Sequence, residues 1–141
     1  MKICLATGAR WSEAEGLRGN QIRAGQIIYV KTKGKKNRAV PITEKLQADL
    51  PSSRKAQVLC KPCYSAFRKA IQRAGIETPA GQLTHILRHT FASHFMMNGG
   101  NILVVQRILG HTDIKETMRY AHFAPDHLSE AMSLNPLSAI T

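Results

Sequence analysis

The sequence predicts an α+β fold that is mainly helical, with a small three-stranded antiparallel sheet. The first observation is a cluster of β-forming residues and turn signals between positions 21 and 41. The second is a helical periodicity, interrupted by capping residues and glycines, that continues from Thr43 to about Met132. The third is a length of 141 residues without an internal repeat or long linker, which favours a single domain over residues 1–141.

The chain opens on the segment MKICLATGAR, which is typical of the end of an apolar helix, with Gly8 as its terminator. Ser12 and Glu15 have the spacing of a capping box and predict a short second helix. Because no opening turn caps the first helix, we expect this beginning to correspond to the middle of a fold.

The sheet is predicted as a meander. Its three strands are expected near Gln21–Arg23, Gln26–Lys31 and Arg38–Pro41, with turn signals at Ala24-Gly25 and at Gly34. The lysine-rich segment KTKGKK therefore forms the turn between the last two strands.

Six helices are predicted after the sheet, each bounded by a capping residue, a glycine or a proline. They run from Thr43 to about Leu50, from about Pro62 to Ala74, from Thr84 to about Asn98, from Asn101 to about Leu109, from Asp113 through Tyr120, and from Pro125 to Met132. Residues from about 125 to 141 are interpreted as a C-terminal tail.

Charge is the strongest signal of the composition. Twenty Lys and Arg residues against nine Asp and Glu residues give a net charge of +11, which favours a polyanionic partner, nucleic acid before membrane. No apolar run of about 18 residues predicts a membrane span, and the N-terminus does not match a signal peptide. Charge alone does not distinguish DNA from RNA, or an enzyme from a passive binder.

The three cysteines argue against a disulfide scaffold and for a reducing cytosol, because their number is odd and no secretory signal accompanies them. Cys60 and Cys63 form the segment CKPC, which could supply half of a zinc site with His85 and His89. The 21 residues between Cys63 and His85 exceed the usual finger linker. We therefore expect two thiols without a metal.

Polar residues occupy the first turns of the helix that Thr84 is predicted to cap. At about 100° per residue, one side of this helix is apolar and belongs to the core. That side carries Leu87, Phe91 and Phe95. His85 and Arg88 point together from the neighbouring side, where the helix N-terminus favours a phosphate. A solvated helix face is the alternative, and His89, turned away from Arg88, is expected to be structural.

Four further residues elsewhere in the chain are candidates for a catalytic or phosphate-binding role. Arg10 lies beside a tight turn, and Glu13 is spaced to pair with it and orient it. Lys33 precedes the glycine of a hairpin tip, His111 follows a glycine that ends a helix, and Tyr120 comes nine residues later. Each has an ordinary structural explanation: a surface arginine, a solvated lysine turn, a dipole partner and a core aromatic.

Together these motifs resemble the catalytic domain of the tyrosine recombinases, most closely the temperate-phage integrases. The matching segments are ATGARWSE, TKGKKNRAVPI, LTHILRHTFASH, ILGH and TMRYAH, in order and at the family spacing over essentially the whole chain. The resemblance implies the helical catalytic fold of that family. The family's N-terminal DNA-binding domains and the first catalytic-domain helix have no counterpart here, so we expect an excised domain or a truncated product.

The resemblance implies that Tyr120 attacks a DNA phosphodiester, forming a 3′-phosphotyrosine and a free 5′-hydroxyl, and that another strand's 5′-hydroxyl reverses the step. A tyrosine is only about a thousandth ionised at neutral pH, so it needs assistance. The implied phosphate-binding residues are Arg10, His85, Arg88 and His111. One of the two histidines would take the tyrosine proton, and the residues leave open which. Lys33 would protonate the leaving oxygen.

Other lysines and arginines are predicted to contact the DNA backbone without reading its sequence. They are Lys31, Lys35, Lys36 and Arg38, with Arg54, Lys55, Arg68, Lys69 and Arg73 as further positive charge. Lys33 is preferred to its lysine neighbours by its alignment with the segment VPI. The resemblance implies chemistry without a metal or other cofactor.

The predicted function is integration of a phage genome by site-specific recombination at double-stranded DNA attachment sites, in the cytoplasm of a bacterial host. The resemblance implies a homo-oligomer on DNA, a tetramer in the full-length protein, in which residues 125–141 pass to a neighbouring protomer. One alternative is a topoisomerase-like enzyme that relaxes DNA without exchanging strands. Another is a truncated, catalytically inactive fragment that only binds DNA or has a regulatory role.

Overall fold

The computed structural model describes residues 1–30, 37–51 and 56–140. In this part of the chain, short helices flank a three-stranded antiparallel sheet with strand order β1-β2-β3. The strands are Ile22–Arg23 (β1), Gln26–Tyr29 (β2) and Arg38–Pro41 (β3). The predicted α+β class and the antiparallel meander are confirmed.

Helices α1 (Lys2–Thr7) and α2 (Trp11–Glu15) precede the sheet. Gly8 ends α1 with a left-handed φ of 64°, as predicted. A Cβ atom added to Gly8 would lie 2.7 Å from Phe91 Cδ1 and 2.8 Å from Leu109 Cδ2. Glycine is therefore required here both by the backbone conformation and by the close approach of two neighbouring side chains.

The predicted capping box of Ser12 and Glu15 is wrong. The helix begins at Trp11, and Glu13 in its first turn accepts a hydrogen bond from the Arg10 backbone N–H at 2.8 Å. Because Glu13 fills the position from which an acidic side chain reaches back to the N-cap, the helix starts earlier than the Ser12 spacing indicated.

The sheet differs from its prediction in two strand lengths. The register pairs Ile22 with Ile27 and Tyr29 with Arg38. The first strand is shorter than predicted because Gln21 ends a 3-10 turn, where its side chain donates to the Ile28 carbonyl at 2.9 Å. The second strand ends at Tyr29, so Val30 is not part of it as predicted, and Lys31 lies outside the described residues.

Six helices follow the sheet in the described residues. They are α3 (Glu44–Asp49), α4 (Tyr64–Arg73), α5 (Ile86–Met97), α6 (Ile102–Leu109), α7 (Lys115–Met118) and α8 (Ala131–Leu134). Thr43 caps α3, as predicted, by accepting a hydrogen bond from Leu46 N–H at 3.2 Å. None of the described helices is long and apolar enough to cross a bilayer.

The main differences from the predicted helices lie at three places. The N-cap of α5 is His85 rather than Thr84, because His85 N–H closes a turn onto the Gln82 carbonyl at 2.8 Å. Helix α7 ends before Tyr120, whose N–H donates three residues back to Thr117, so the chain tightens into the 3-10 turn Ala121–Phe123.

The third difference is at the C-terminal end, where one helix was predicted from Pro125 to Met132. The chain instead forms a 3-10 turn at Leu128–Glu130, continues directly into α8, and makes a further 3-10 turn at Pro136–Ala139. A proline at the start of that last turn supplies its fixed φ without the loss of a helical hydrogen bond.

Two hydrophobic clusters form the core, and α5 contributes to both. In the first, Trp11 of α2 stacks on Phe67 of α4 with ring centroids 4.6 Å apart, and Leu87 of α5 packs into the same cluster. The second joins α5, α6 and the turn after α7, and consists of Ala92, Met96, Val105, Leu109 and Tyr120. Packing against both clusters therefore fixes the position of α5 and of the polar residues in its first turns.

Candidate active site

An open pocket lies where the first turns of α5 meet α2, α7 and the end of α6. It is lined by Arg10, His85, Arg88, His89, His111, Lys115, Glu116, Arg119 and Tyr120. The structure thus brings together five of the predicted catalytic residues from four separate segments of the sequence. The sixth, Lys33, lies outside the described residues, as do Lys31, Lys35 and Lys36.

Arg88 is fixed by carbonyl groups from two other elements. Its Nη1 donates to the Gly8 carbonyl at 2.8 Å, and its Nη2 donates to the Leu109 carbonyl at 2.6 Å. Only 4% of the residue is exposed, so the predicted outward-facing helix position is wrong and the guanidinium reaches the pocket from the core. Burial, with the charges of Arg10 and Arg38, lowers the Arg88 pKa to about 10, which leaves it cationic at neutral pH.

His111 projects from the turn that Gly110 opens with a left-handed φ of 67°, as its sequence position predicted. Its Nε2 lies 3.1 Å from Arg88 Nη2, and its Nδ1 lies 2.8 Å from the buried Thr117 hydroxyl. An arginine can only donate, so Nε2 accepts and Nδ1 carries the proton. Glu116 Oε2, at 3.8 Å from Nε2, is beyond hydrogen-bond distance.

Arg10 is oriented by Glu13, as predicted, and Glu13 is held in turn by Arg38. Glu13 Oε2 accepts from Arg10 N–H at 2.8 Å, and Oε1 lies 3.5 Å from Arg10 Nη1. Both oxygens also accept from Arg38, at 2.8 and 2.7 Å. Burial would raise the Glu13 pKa, but the hydrogen bonds and charges of the two arginines lower it to about 2.

The predicted DNA contact by Arg38 is wrong. Its guanidinium lies 4.5 Å from the centre of the Tyr29 ring, and only 7% of the residue is exposed. Pairing of β3 with β2 places Arg38 opposite Tyr29 on the inward face of the sheet, where its charge is committed to Glu13. The sequence predicted Arg38 at the start of the third strand, but its charge was grouped with the lysines of the preceding turn as a DNA contact.

Tyr120 is nearly buried, with 4% of its surface exposed at the pocket. Its hydroxyl lies 2.5 Å from His89 Nδ1, and its ring lies 5.9 Å from the Arg119 guanidinium. Burial raises the Tyr120 pKa although the charges of Arg119 and Arg88 act against this shift. The phenol is therefore protonated at neutral pH.

His89 is the pocket residue that sequence reasoning set aside as structural. It follows His85 by one helical turn, and their ring centroids are 6.1 Å apart. Burial, then the charges of Arg119, His85 and Arg88, lower the His89 pKa. The four-residue spacing from His85 was the signal that could have placed it at the site.

The remaining predicted residues lie away from this pocket or beyond the described part of the chain. Arg68, Lys69 and Arg73 are exposed on α4, while Arg54 and Lys55 lie outside the described residues. All three cysteine thiols are free, with Cys4 buried and Cys63 exposed. Across residues 1–30, 37–51 and 56–140, no group of three His, Cys, Asp or Glu side chains is arranged to hold a metal ion.

Comparison with known proteins defines the class to which this fold and pocket belong. Residues 50–127 match the model of the phage integrase family, and the chain belongs to that family. The predicted resemblance to tyrosine recombinases of phage integrase type is confirmed.

Individual relatives agree with this membership. The chain is 67% identical to the integrase of Escherichia phage 186 over 141 residues, which cover 100% of this chain and 42% of that protein. The catalytic domain of bacteriophage HP1 integrase is 58% identical, with a TM-score of 0.92 over 99% of this chain and 82% of that one. The predicted fold class, a tyrosine recombinase catalytic fold, is confirmed by this match.

A more distant structure is the XerH site-specific recombinase bound to its palindromic difH substrate after cleavage. It is 27% identical, with a TM-score of 0.65 over 94% of this chain and 44% of that one. The chain spans about 40% of the length of the curated phage relatives it matches.

Proposed function

We propose that the chain supplies the strand-cleaving and rejoining centre of a site-specific DNA recombinase of phage integrase type. The observation that carries this proposal is the convergence of a buried tyrosine, three arginines and three histidines on one pocket. Phosphoryl transfer to a tyrosine requires such a set, because the attacked phosphate accumulates negative charge on its non-bridging oxygens. The names of the phage and Xer relatives support the same activity.

In the proposed reaction the Tyr120 oxygen attacks the scissile phosphorus. The tyrosyl O–P bond forms, the bond from phosphorus to the 5′ oxygen breaks, and the DNA is left joined through a 3′-phosphotyrosine. Arg88 suits the phosphate because its guanidinium is held by two carbonyl groups before DNA binds. Arg10, whose side chain is 39% exposed, supplies a second fork that Glu13 orients.

Rejoining is the reverse displacement. A 5′-hydroxyl from the partner strand attacks the phosphotyrosine, restores a phosphodiester and releases Tyr120. Each step forms one phosphoester bond as another breaks, so the exchange requires no nucleotide hydrolysis. Lys33 is proposed to protonate the leaving 5′ oxygen, a role that the family resemblance implies.

Double-stranded DNA that carries an attachment site is the proposed substrate. A net charge of +11 supports a polyanionic partner, and Arg68, Lys69 and Arg73 give α4 an exposed basic face. The XerH relative was determined with its difH substrate. Because the relatives from Escherichia phage 186 and Haemophilus phage HP1 are phage integrases, we place the reaction in the cytoplasm of a bacterial host and assign it to phage integration.

A homo-oligomer on DNA, a tetramer for the full-length protein, is part of the same proposal. Residues after Pro125 carry apolar side chains with little cover within the chain. Leu128, Met132, Leu134, Leu137 and Ile140 are between 69% and 80% exposed. Apolar exposure on this scale favours transfer of the segment to a neighbouring protomer. Analytical ultracentrifugation with and without DNA tests this point, and a monomer under both conditions contradicts it.

Covalent capture of DNA tests the proposed activity. The probe is a nicked duplex carrying the junction sequence that flanks the coding region, from which the cleaved strand's short product diffuses away. We expect a protein–DNA adduct that Tyr120→Phe abolishes and Tyr64→Phe, at an exposed tyrosine, preserves. DNA binding without an adduct would support the inactive-fragment alternative, and plasmid relaxation without recombinants would support the topoisomerase-like one.

A further inference from the structure

The Tyr120 hydroxyl forms a hydrogen bond with a histidine outside the predicted catalytic set. His89 Nδ1 lies 2.5 Å from Tyr120 Oη, so the two atoms are in direct hydrogen-bond contact. His111 is committed differently, since its two ring nitrogens contact Arg88 and Thr117. His85 is exposed at the N-cap of α5, with its ring beside that of His89.

We propose that His89 is the general base of strand cleavage: its Nδ1 accepts the Tyr120 proton as the phenol oxygen attacks the phosphate. This inference rests on the proposed function and assigns a catalytic role within that same site. It also gives the three histidines different roles. In this proposal His85 and His111 bind the phosphate oxygens, and His89 accepts the proton of the nucleophile.

The charges around His89 keep its acceptor nitrogen available. From its own helix it faces His85 and Arg88, and from the segment after α7 it faces Arg119 and Tyr120. The rest of the pocket is lined by Arg10, His111, Lys115 and Glu116. Burial, together with the positive charges of Arg119 and Arg88, disfavours an imidazolium and lowers the His89 pKa, so the ring is neutral at neutral pH and can accept a proton.

The proton balance of the step is complete. The Tyr120 O–H bond breaks as the O–P bond forms, and the proton moves to His89 Nδ1, which leaves a cationic imidazolium. The leaving 5′ oxygen takes its proton from a different acid, for which the resemblance implies Lys33. In rejoining, His89 returns its proton to the departing Tyr120 oxygen.

Two His89 variants distinguish a base from a residue that only positions Tyr120. His89→Gln retains a side-chain oxygen that can accept the tyrosine hydrogen bond but cannot carry the proton, whereas His89→Ala loses both functions. His94→Gln, on an exposed position of the same helix, is the matched control. Single-turnover cleavage of the nicked duplex is measured for each protein across pH 5 to 8, with DNA affinity and thermal stability measured in parallel.

We expect His89→Gln and His89→Ala to cleave about 10²- to 10⁴-fold more slowly than the wild type at matched DNA affinity. The wild-type rate should fall as the pH drops through the His89 pKa, and this dependence should be lost in His89→Gln. A 5′-bridging phosphorothiolate, whose sulfur leaves without protonation, should not restore the rate. Rescue by that substrate, or a His89→Gln rate within about threefold of the wild type, would overturn the assignment.

A measurement on the unaltered protein keeps the proposal testable if the variants do not fold. Nitrogen-15 NMR of the wild-type histidines should show His89 protonated on Nε2 with Nδ1 as the acceptor. A proton on Nδ1 overturns the proposal. The proposed function and the role of His89 fail in different ways. If the wild-type protein forms no adduct, the proposed function is wrong. If the His89 variants form the adduct at the wild-type rate, only the assignment of His89 as the base is wrong.

Discussion

Both carboxylate oxygens of Glu13 accept hydrogen bonds from Arg38, at 2.8 and 2.7 Å, and so join the sheet to the active-site pocket. The same carboxylate accepts the backbone N–H of Arg10. Arg38 therefore acts on the proposed phosphate site without reaching it. Strand β3 thus holds the Glu13 carboxylate through Arg38, and the carboxylate orients Arg10 at the proposed phosphate site.

Removal of Arg38 should destabilise the fold because it leaves Glu13 charged in a largely buried position. We expect Arg38→Leu to lower the free energy of unfolding by about 3 kcal/mol. Urea denaturation at neutral pH measures this loss, with Arg68→Leu on the exposed face of α4 as the matched control. Equal stabilities for the two variants would show that the ion pair contributes nothing.

Acid should remove the contribution of Glu13 in a defined pH window. Its pKa is about 2 in the folded chain against an ordinary value of 4.5, so below pH 4.5 the unfolded chain binds more protons and the folded state loses stability. Between pH 5 and pH 3 this loss amounts to about 2 kcal/mol. The stability difference between wild type and Glu13→Gln should shrink by that amount. A difference independent of pH would contradict the lowered pKa.

Gly8 should tolerate alanine less well than another glycine of similar backbone conformation. Gly8→Ala brings a methyl group within 3 Å of Phe91 and Leu109, whereas Gly25, with a φ of 74°, has open space around it. Both substitutions carry the cost of a left-handed alanine, but only the first overpacks the core. We expect Gly8→Ala to be less stable than Gly25→Ala by about 1–3 kcal/mol in thermal or urea unfolding. Equal losses would exclude crowding as the reason for Gly8.

Arg88 should not be replaceable by lysine. Its two Nη atoms donate to the Gly8 and Leu109 carbonyls at once, a geometry that a single ammonium group does not reproduce. Arg88→Lys should reduce single-turnover cleavage by about 10²-fold or more at unchanged pH, while Arg107→Lys, at an exposed position of α6, should leave the rate intact. Full activity of Arg88→Lys would show that charge alone suffices.

The sequence predicts those parts of the fold that depend on local signals. Gly8 and Gly110 end helices as their positions indicated, and Thr43 caps α3 through its hydroxyl. Errors arise where a nearby residue competes for the same role. The predicted capping box of Ser12 and Glu15 does not form, because the Glu13 carboxylate already accepts the Arg10 N–H in the first turn of α2.

The sequence predicts most of the residues that line the site, but not the hydrogen bonds between them. Spacing and family resemblance brought Arg10, Arg88 and Tyr120 together, whereas burial of Arg88 against the Leu109 carbonyl depends on how α5 packs against α6. The partner of Tyr120 is a long-range contact of the same kind. His89 is 31 residues away in sequence, and its helical face alone suggested a structural role.

The central claim is that Tyr120 becomes covalently attached to DNA. Trypsin cleaves after Arg119, and no Lys or Arg lies between Tyr120 and Thr141, so digestion places Tyr120 in a different peptide from Tyr29 and Tyr64. Mass spectrometry of the digested adduct, after nuclease trimming, should find a 3′-phosphonucleotide on the peptide that contains Tyr120. A nucleotide on either of the other tyrosines, or on a residue other than tyrosine, would contradict the account.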